Sequence, residues 1–256
     1  MNIYFLGTCA GTEPMPNRKH TSFVIESAGH LYWFDAGEGC SYTAHNMGLD
    51  LLLVDKIIIS HTHTDHVGGL GNLLFNIRKL RYLYNKKPVH GDVELYMPNM
   101  DAWDGFWKFL QHTDVGQKTD YQIHAHRVQD GVLFDDGTMK VTAYANGHIG
   151  PSDPTAYSFT YKMECEGKRV VYSGDIASYS ELDEAIGDGC HALITETGHF
   201  GIDTAHEYIS GKQIGKTFFI HSGREILNYP EQSIKKVQEK FSGHAMICED
   251  GMTATL

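Results

Sequence analysis

Lysine and arginine are scarce in this chain: 21 of them stand against 32 aspartates and glutamates in 256 residues, for a formal charge of −11. Such a field repels phosphate backbones and acidic membranes, so general nucleic-acid binding would need a local basic patch. Cysteine is also thin. Cys9, Cys40, Cys165, Cys190 and Cys248 are scattered, odd in number and without a CxxC pair. That excludes a disulfide framework and fits a reducing, cytoplasmic setting. No run approaches the ~18 apolar residues that read as a membrane span. The opening Met1-Asn2-Ile3-Tyr4-Phe5-Leu6 lacks a basic segment and meets Gly7 too early for a signal peptide, so export is not expected. There is no linker and no low-complexity segment. With 41% hydrophobic content, the expectation is one domain over residues 1–256 around a substantial core.

What is abundant is histidine, 16 in all, and it concentrates in one place. Ser60-His61-Thr62-His63-Thr64-Asp65-His66 packs four metal-binding side chains into its last six residues. The preceding Leu51 to Ile59 is apolar and β-branched and reads as a buried strand, and Gly68-Gly69 breaks the pattern before a helix. In an extended loop His61 and His63 point the same way, while Asp65 and His66 begin the next turn and can face a second point. One loop can therefore feed two adjacent metal ions. A histidine-rich surface loop is the bland alternative, but the position at the carboxyl end of an apolar strand is the context a metal motif requires.

His-x-His-x-Asp-His after an apolar strand resembles the metallo-β-lactamase fold superfamily. Further residues narrow the resemblance to its ribonuclease Z branch: Leu6-Gly7-Thr8-Cys9-Ala10-Gly11, Arg18 with Thr21-Ser22 before the second strand, Phe34-Asp35-Ala36-Gly37-Glu38-Gly39 and Glu249-Asp250-Gly251-Met252. The resemblance implies an α/β fold, the four-layer αββα sandwich. It also implies that Asp35 steadies the metal loop; a helix N-cap is the competing role for that residue.

Along the chain, Ile3–Leu6 reads as a strand, and Thr21–Glu26 with Leu31–Phe34 as a hairpin. Leu73–Tyr84 reads as a helix carrying Arg78, Lys79 and Arg81, with Lys86 and Lys87 just beyond; a solvated face is favoured over a phosphate patch. Met100, Trp103, Phe106, Trp107 and Leu110 fall at helical spacing, as a core stripe or a homodimer contact rather than a lid. Residues 112–130 are polar and carry no legible pattern. Met139–Ala145 leads into Asn146-Gly147-His148, and Tyr157–Met163 pairs with Arg169–Tyr172 before Ser173-Gly174-Asp175. Ala192–Thr195 ends at Glu196-Thr197-Gly198-His199, and Thr217–Ile220 delivers His221. Helices are expected at Thr204–Lys212 and Glu231–Phe241, and Ala245–Cys248 and Thr253–Leu256 close the sheet. The second half thus repeats the first, setting a candidate ligand at each strand end.

By the resemblance, His61, His63 and His148 hold one divalent ion, Asp65, His66 and His221 hold a second, and Asp175 bridges them. Imidazole and carboxylate donors accept zinc, manganese or iron, with zinc the first expectation. Two ions ~3.5–4 Å apart activate a bridging hydroxide and clamp a phosphoryl centre, which suits phosphodiester hydrolysis. The resemblance makes Asp65 the base that orients the hydroxide. It makes His199, 22 residues before His221, the general acid, assisted by Glu196. The family's His-Ser-Thr reads His199-Phe200-Gly201 here, a departure. His206 is the rival candidate, though it falls inside an expected helix.

The expected activity is a metallo-phosphodiesterase on a small phosphodiester, with RNA a disfavoured partner. The Gly/Pro-rich tRNA-gripping arm of ribonuclease Z has no counterpart between His148 and Asp175, where only Pro151, Pro154 and one hairpin stand. Alternatives are another hydrolase of the same fold (thioester, sulfate ester or lactam), a tRNA 3′-processing endoribonuclease, and a non-catalytic metal-binding protein. An oxygen-reducing di-iron protein would want a carboxylate at Thr64 and a flavin module, and neither is present in the sequence.

Overall fold

The computed structural model describes residues 1–113, 119–149 and 157–256. The chain opens with β1 (Asn2–Gly7), β2 (Ser22–Ser27) and β3 (His30–Phe34), followed by α1 (Cys40–Asn46), β4 (Val54–Ile58), α2 (Thr64–Val67), α3 (Leu70–Tyr84), β5 (Val93–Met97), α4 (Met100–Gln111) and β6 (Ile123–Arg127). The second half runs β7 (Gly131–Asp135), β8 (Met139–Ala145), β9 (Phe159–Cys165), β10 (Lys168–Tyr172), α5 (Asp183–Ile186), β11 (Cys190–Glu196), α6 (Ile202–Ile209), β12 (Ile214–Ile220), α7 (Arg224–Asn228), α8 (Pro230–Phe241), β13 (Ala245–Ile247) and β14 (Thr253–Thr255).

These strands form two seven-stranded sheets, β14-β1-β2-β3-β4-β5-β6 and β13-β12-β11-β10-β9-β8-β7. In the first, β3 to β6 are parallel; in the second, β10 to β13 are. A strand covered on both faces needs apolar residues at every position rather than at alternate ones. β4 approaches that composition: Val54, Ile57 and Ile58 are fully buried, and its two polar residues, Asp55 and Lys56, are buried as a pair at 2.9 Å. An inter-sheet core joins Phe5, Phe23 and Phe34 of the first sheet to Tyr161, Tyr172 and Phe218 of the second. A second core lies beneath α1, α3 and α4, and a third beneath α5, α6, α7 and α8. Helix, sheet, sheet, helix is the expected four-layer αββα sandwich, and the sheets position the site by bringing the carboxyl ends of β4, β8, β10, β11 and β12 together. Ligands in open α/β sheets bind at such ends.

Several expectations need correction. Leu51–Leu53 is a 3₁₀ turn rather than the start of a strand, because the Asp50 carboxylate accepts from Leu52 N (3.0 Å) and holds the backbone curled. The helix expected at Leu73 starts at Leu70, and the one expected at Thr204–Lys212 runs Ile202–Ile209. The unread region contains β6, whose pattern Ile-His-Ala-His-Arg shows little apolar alternation because it is an edge strand. Arg78 is buried, which departs from a fully solvated basic face, and Arg81 pairs with Asp120 through Nε (2.9 Å). The aromatic stripe belongs to the core: Trp103 and Leu110 are buried on α4, and Met100, Phe106 and Trp107 pack beside them. Pro151 and Pro154 lie outside the described residues.

Phe23 stacks on Phe34 and meets Tyr172 edge-on, each at 4.9 Å between centroids. Phe23→Ala is expected to destabilise the metal-free protein by about 3–5 kcal/mol, the usual cost of emptying a packed aromatic site. Urea unfolding measures it.

Candidate metal centre and active site

The site is built outward from Asp35. It follows β3 with φ of 51°, a left-handed conformation uncommon outside glycine though one that aspartate adopts more readily than most. Its carboxylate accepts from Ser60 N (2.6 Å), Ser60 Oγ (2.7 Å), His66 Nδ1 (2.7 Å) and Tyr172 Oη (2.6 Å). Asp35 is therefore not a helix N-cap: α1 begins five residues later at Cys40, after Gly39, with no side-chain cap. It steadies the metal loop, as the resemblance implied. With Nδ1–H committed to Asp35, the Nε2 of His66 faces Asp175 Oδ1 (3.3 Å) and Asp65 Oδ2 (3.5 Å).

The expected ligands converge in two groups. His61, His63, His148 and Asp175 each present a donor atom within 4.8 Å of the others, and so do Asp65, His66 and His221. Asp175 touches both sets: Oδ2 lies 3.7 Å from His61 Nε2, 3.6 Å from His148 Nε2 and 3.4 Å from His221 Nε2. His221 also reaches Asp65 Oδ2 at 3.1 Å. Like Asp35 it has a left-handed backbone, φ 46°, at the end of β12. The buried atoms His61 Nε2, His66 Nε2, Asp175 Oδ1 and His221 Nδ1 have no hydrogen-bond partner among the described residues. Three of them face the cluster, and a cation there would satisfy them.

The electrostatics agree with a place for positive charge. Burial pushes the Asp175 carboxyl up, but His221 and His66 outweigh it and hold the group well below the carboxylate range. Burial pushes His66 down, yet Asp175 and Asp35 carry it well above its ordinary value. His221 is raised to about 9 against burial by Asp175, Asp65 and Glu196. His61, by contrast, is lowered by burial and by its imidazole neighbours. The carboxylates thus favour positive charge on the His66 and His221 side of the cluster. Nitrogen and oxygen donors in this mixture fit zinc, manganese or iron.

His199 and Glu196 stand beside this cluster. Glu196, buried at the end of β11, accepts from Ile176 N on Oε1 (2.9 Å), and from His199 N (2.9 Å) and His199 Nδ1 (2.7 Å) on Oε2. The bond from Glu196 raises the His199 pKa against the effect of burial. The bond to Glu196 fixes Nδ1 of His199 and leaves Nε2 for other work. Its half-exposed ring lines a cleft of about 270 Å³ together with Gly11, His63, Asp65, Asp175 and Arg224. His206 lies on α6, edge-on to Phe241, and does not line this cleft.

Sequence reasoning missed the close approaches. A Cβ on Gly198 would sit 2.4 Å from His221 Nδ1, and one on Gly11 3.0 Å from Asp65 Oδ2. Glycine in a loop beside an expected ligand was the available signal. Arg224, whose Nη1 bonds Glu13 at 2.8 Å on the rim, was also missed. Gly198→Ala is expected to displace the His221 ring and lower divalent-metal affinity by about 10–100-fold, as loss of ligand support does. Chelator competition measures it, with an unchanged melt of the metal-free protein as the control.

Comparison with known proteins follows the same lines. Ribonuclease BN of Cronobacter sakazakii is 30% identical over 175 residues, which is 66% of this chain but 49% of that protein. The chain thus spans about half the length of that relative. The ribonuclease name does not bear out the expectation that RNA is disfavoured. Among solved structures, the short form of human tRNase Z superposes with a TM-score of 0.75 at 21% identity, covering 100% of this chain and 99% of that one. The metallo-β-lactamase fold protein YhfI from Bacillus subtilis gives 0.74 at 18% identity, covering 99% and 98%. Both likenesses show the metallo-β-lactamase fold. The family model described as anti-Pycsar protein Apyc1 matches residues 1–208, taking in the metal loop, His148, Asp175 and His199, and the chain belongs to that family.

Proposed function

We propose that the protein is a binuclear, metal-dependent phosphodiesterase acting in the cytoplasm through one domain over residues 1–256. His61, His63 and His148 would hold one divalent ion, Asp65, His66 and His221 the other, and Asp175 would contact both. The observation that carries this reading is the pair of donor groups meeting at Asp175, with buried donor atoms of His61, His66 and Asp175 left unsatisfied. Such a pair of ions, zinc by first preference, polarises phosphoryl oxygen and makes water nucleophilic at neutral pH.

The chain's own residues supply the rest. Asp65, at the mouth of the cleft, orients the attacking water and takes its proton on a carboxylate oxygen. His199 donates from Nε2 to the departing oxygen, and Glu196 keeps that imidazole charged and fixed at Nδ1. Asp35 holds the His66 ring through Nδ1–H and so aims its Nε2.

A small phosphodiester fits the cleft and the acidic charge, since phosphate contacts supply most of the affinity for a long nucleic acid. Among the described residues between His148 and Asp175, β9 and β10 supply the regular structure. RNA 3′ processing is the second reading, favoured by the ribonuclease BN relative.

A turnover panel of the metal-loaded protein decides among these: bis(p-nitrophenyl) phosphate, cyclic nucleotides, short RNAs, precursor tRNA, a thioester and a β-lactam. Turnover of the activated and small diesters is expected, with precursor tRNA bound weakly and with steep salt dependence. Submicromolar tRNA binding with accurate 3′ cleavage would establish the second reading. Turnover confined to thioester or lactam would overturn both. In the same assays His199→Ala is expected to slow alkyl leaving groups by ~10²–10⁴-fold and p-nitrophenyl far less, because only a poor leaving group needs the proton.

Elemental analysis after reconstitution is expected to give two ions per chain, and one or fewer would refute the binuclear assignment. Because neighbouring carboxylates raise the pKa of His66 and carry that of His221 to about 9, ion uptake at pH 7 should release protons and affinity should rise as pH climbs toward 9. Calorimetry in buffers of different ionisation enthalpy reads that release.

A further inference from the structure

His148 and Asp175 lie on two loops without regular structure, so their backbone donors must be satisfied individually. On the first, Asn146 Oδ1 accepts from His148 N (3.2 Å) and Ser158 Oγ from Ile149 N (3.1 Å). On the second, Glu196 Oε1 accepts from Ile176 N (2.9 Å). Two further amides, one on each loop, go to one carboxylate. Glu181 Oε1 accepts from Gly147 N and Oε2 from Ala177 N, both at 2.9 Å. Each oxygen of Glu181 thus grips the residue next to His148 or two beyond Asp175.

The geometry points to Glu181 as a positioning residue that locks the His148 loop to the Asp175 loop and so fixes the spacing of these two ligands. This rests on the proposed metal reading for its consequence, but not for the lock itself. The side chain is presented from a firm base: in the 3₁₀ turn Tyr179–Leu182, Tyr179 and Leu182 are buried in the outer core, and Tyr179 Oη bonds Glu196 O at 3.0 Å. The fit is close, since a Cβ on Gly147 would lie 2.8 Å from Glu181 Oε1. A side chain at Gly147 would push the Glu181 carboxylate away from the backbone it bonds. Across the lock, His148 Nε2 stands 3.6 Å from Asp175 Oδ2. Glu181 touches neither side chain and acts only through the two loops.

The test uses the full chain with Glu181→Ala, Glu181→Gln and Gly147→Ala, and with Ser180→Ala as a control in the same turn. In the metal-free protein, amide exchange at Gly147 and Ala177 should quicken about tenfold or more in Glu181→Ala, the scale of losing a bond to a charged acceptor. Glutamine has one acceptor oxygen and should protect one of the two amides. Ser180→Ala should change neither. In chelator titrations with zinc, Glu181→Ala should weaken binding by about 10–100-fold, with glutamine intermediate. Gly147→Ala should reproduce the loss in the wild-type background and add nothing in Glu181→Ala, since the two share one interaction. Unchanged exchange at both amides in Glu181→Ala would overturn the lock whatever the metal data show. Failure of the wild-type protein to bind zinc would instead refute the metal reading, while the exchange measurements still judge Glu181.

Discussion

The rest of the structure depends on the buried carboxylate of Asp35. A charge removed from water costs several kcal/mol unless donors surround it, and here four bonds do so, from Ser60 N and Oγ, His66 Nδ1 and Tyr172 Oη. Two of the donor residues follow β4 in the first sheet, and Tyr172 ends β10 in the second. The two sheets are consequently fastened to each other at the point where their strand ends must deliver ligands. Further bonds support the same seam: Tyr161 Oη donates to Ile59 O (2.6 Å) and Phe159 N to Ser60 O (3.0 Å). Tyr172 also packs edge-on against Phe23 in the inter-sheet core. Core packing and ligand aim are therefore one mechanical problem, solved at one residue with a left-handed backbone.

Polarity is divided in a way that suits this arrangement. The chain as a whole is acidic, yet the cluster gathers imidazoles around Asp65 and Asp175, and its carboxylates raise the pKa of His66 and His221. At the rim Arg224 of α7 is neutralised by Glu13, so anionic ligands approaching the cleft meet a paired cation rather than a bare one.

Much of this was legible in the sequence because the ligands sit where apolar strands stop. β4, β8 and β12 announce themselves by composition, and the residues that follow them, His61, His148 and His221, stand out by contrast. The αββα layering followed from the resemblance carried by the same residues. What was not legible depends on contacts between distant segments. Nothing local distinguishes Asp35 as an acceptor for Ser60 and Tyr172 from Asp35 as a helix cap, since both roles place an aspartate after a strand. Gly198 and Gly147 look like ordinary loop glycines until the imidazole of His221 and the carboxylate of Glu181 are seen to approach them. β6 was hidden because an edge strand lacks the alternation of a buried one, and Leu51–Leu53 because three leucines before a strand look like its beginning.

The ligands are also spread along the chain in a way that matters while it is being made. His61 to His66 leave the ribosome early, but their partners Asp175 and His221 belong to strands of the other sheet. The early loop alone cannot gather all the donor groups of the cluster, which is complete only once β12 has been synthesised and docked. Under the proposed binuclear reading, metal retention is a late event in assembly, since the donor groups meet only when both halves are joined.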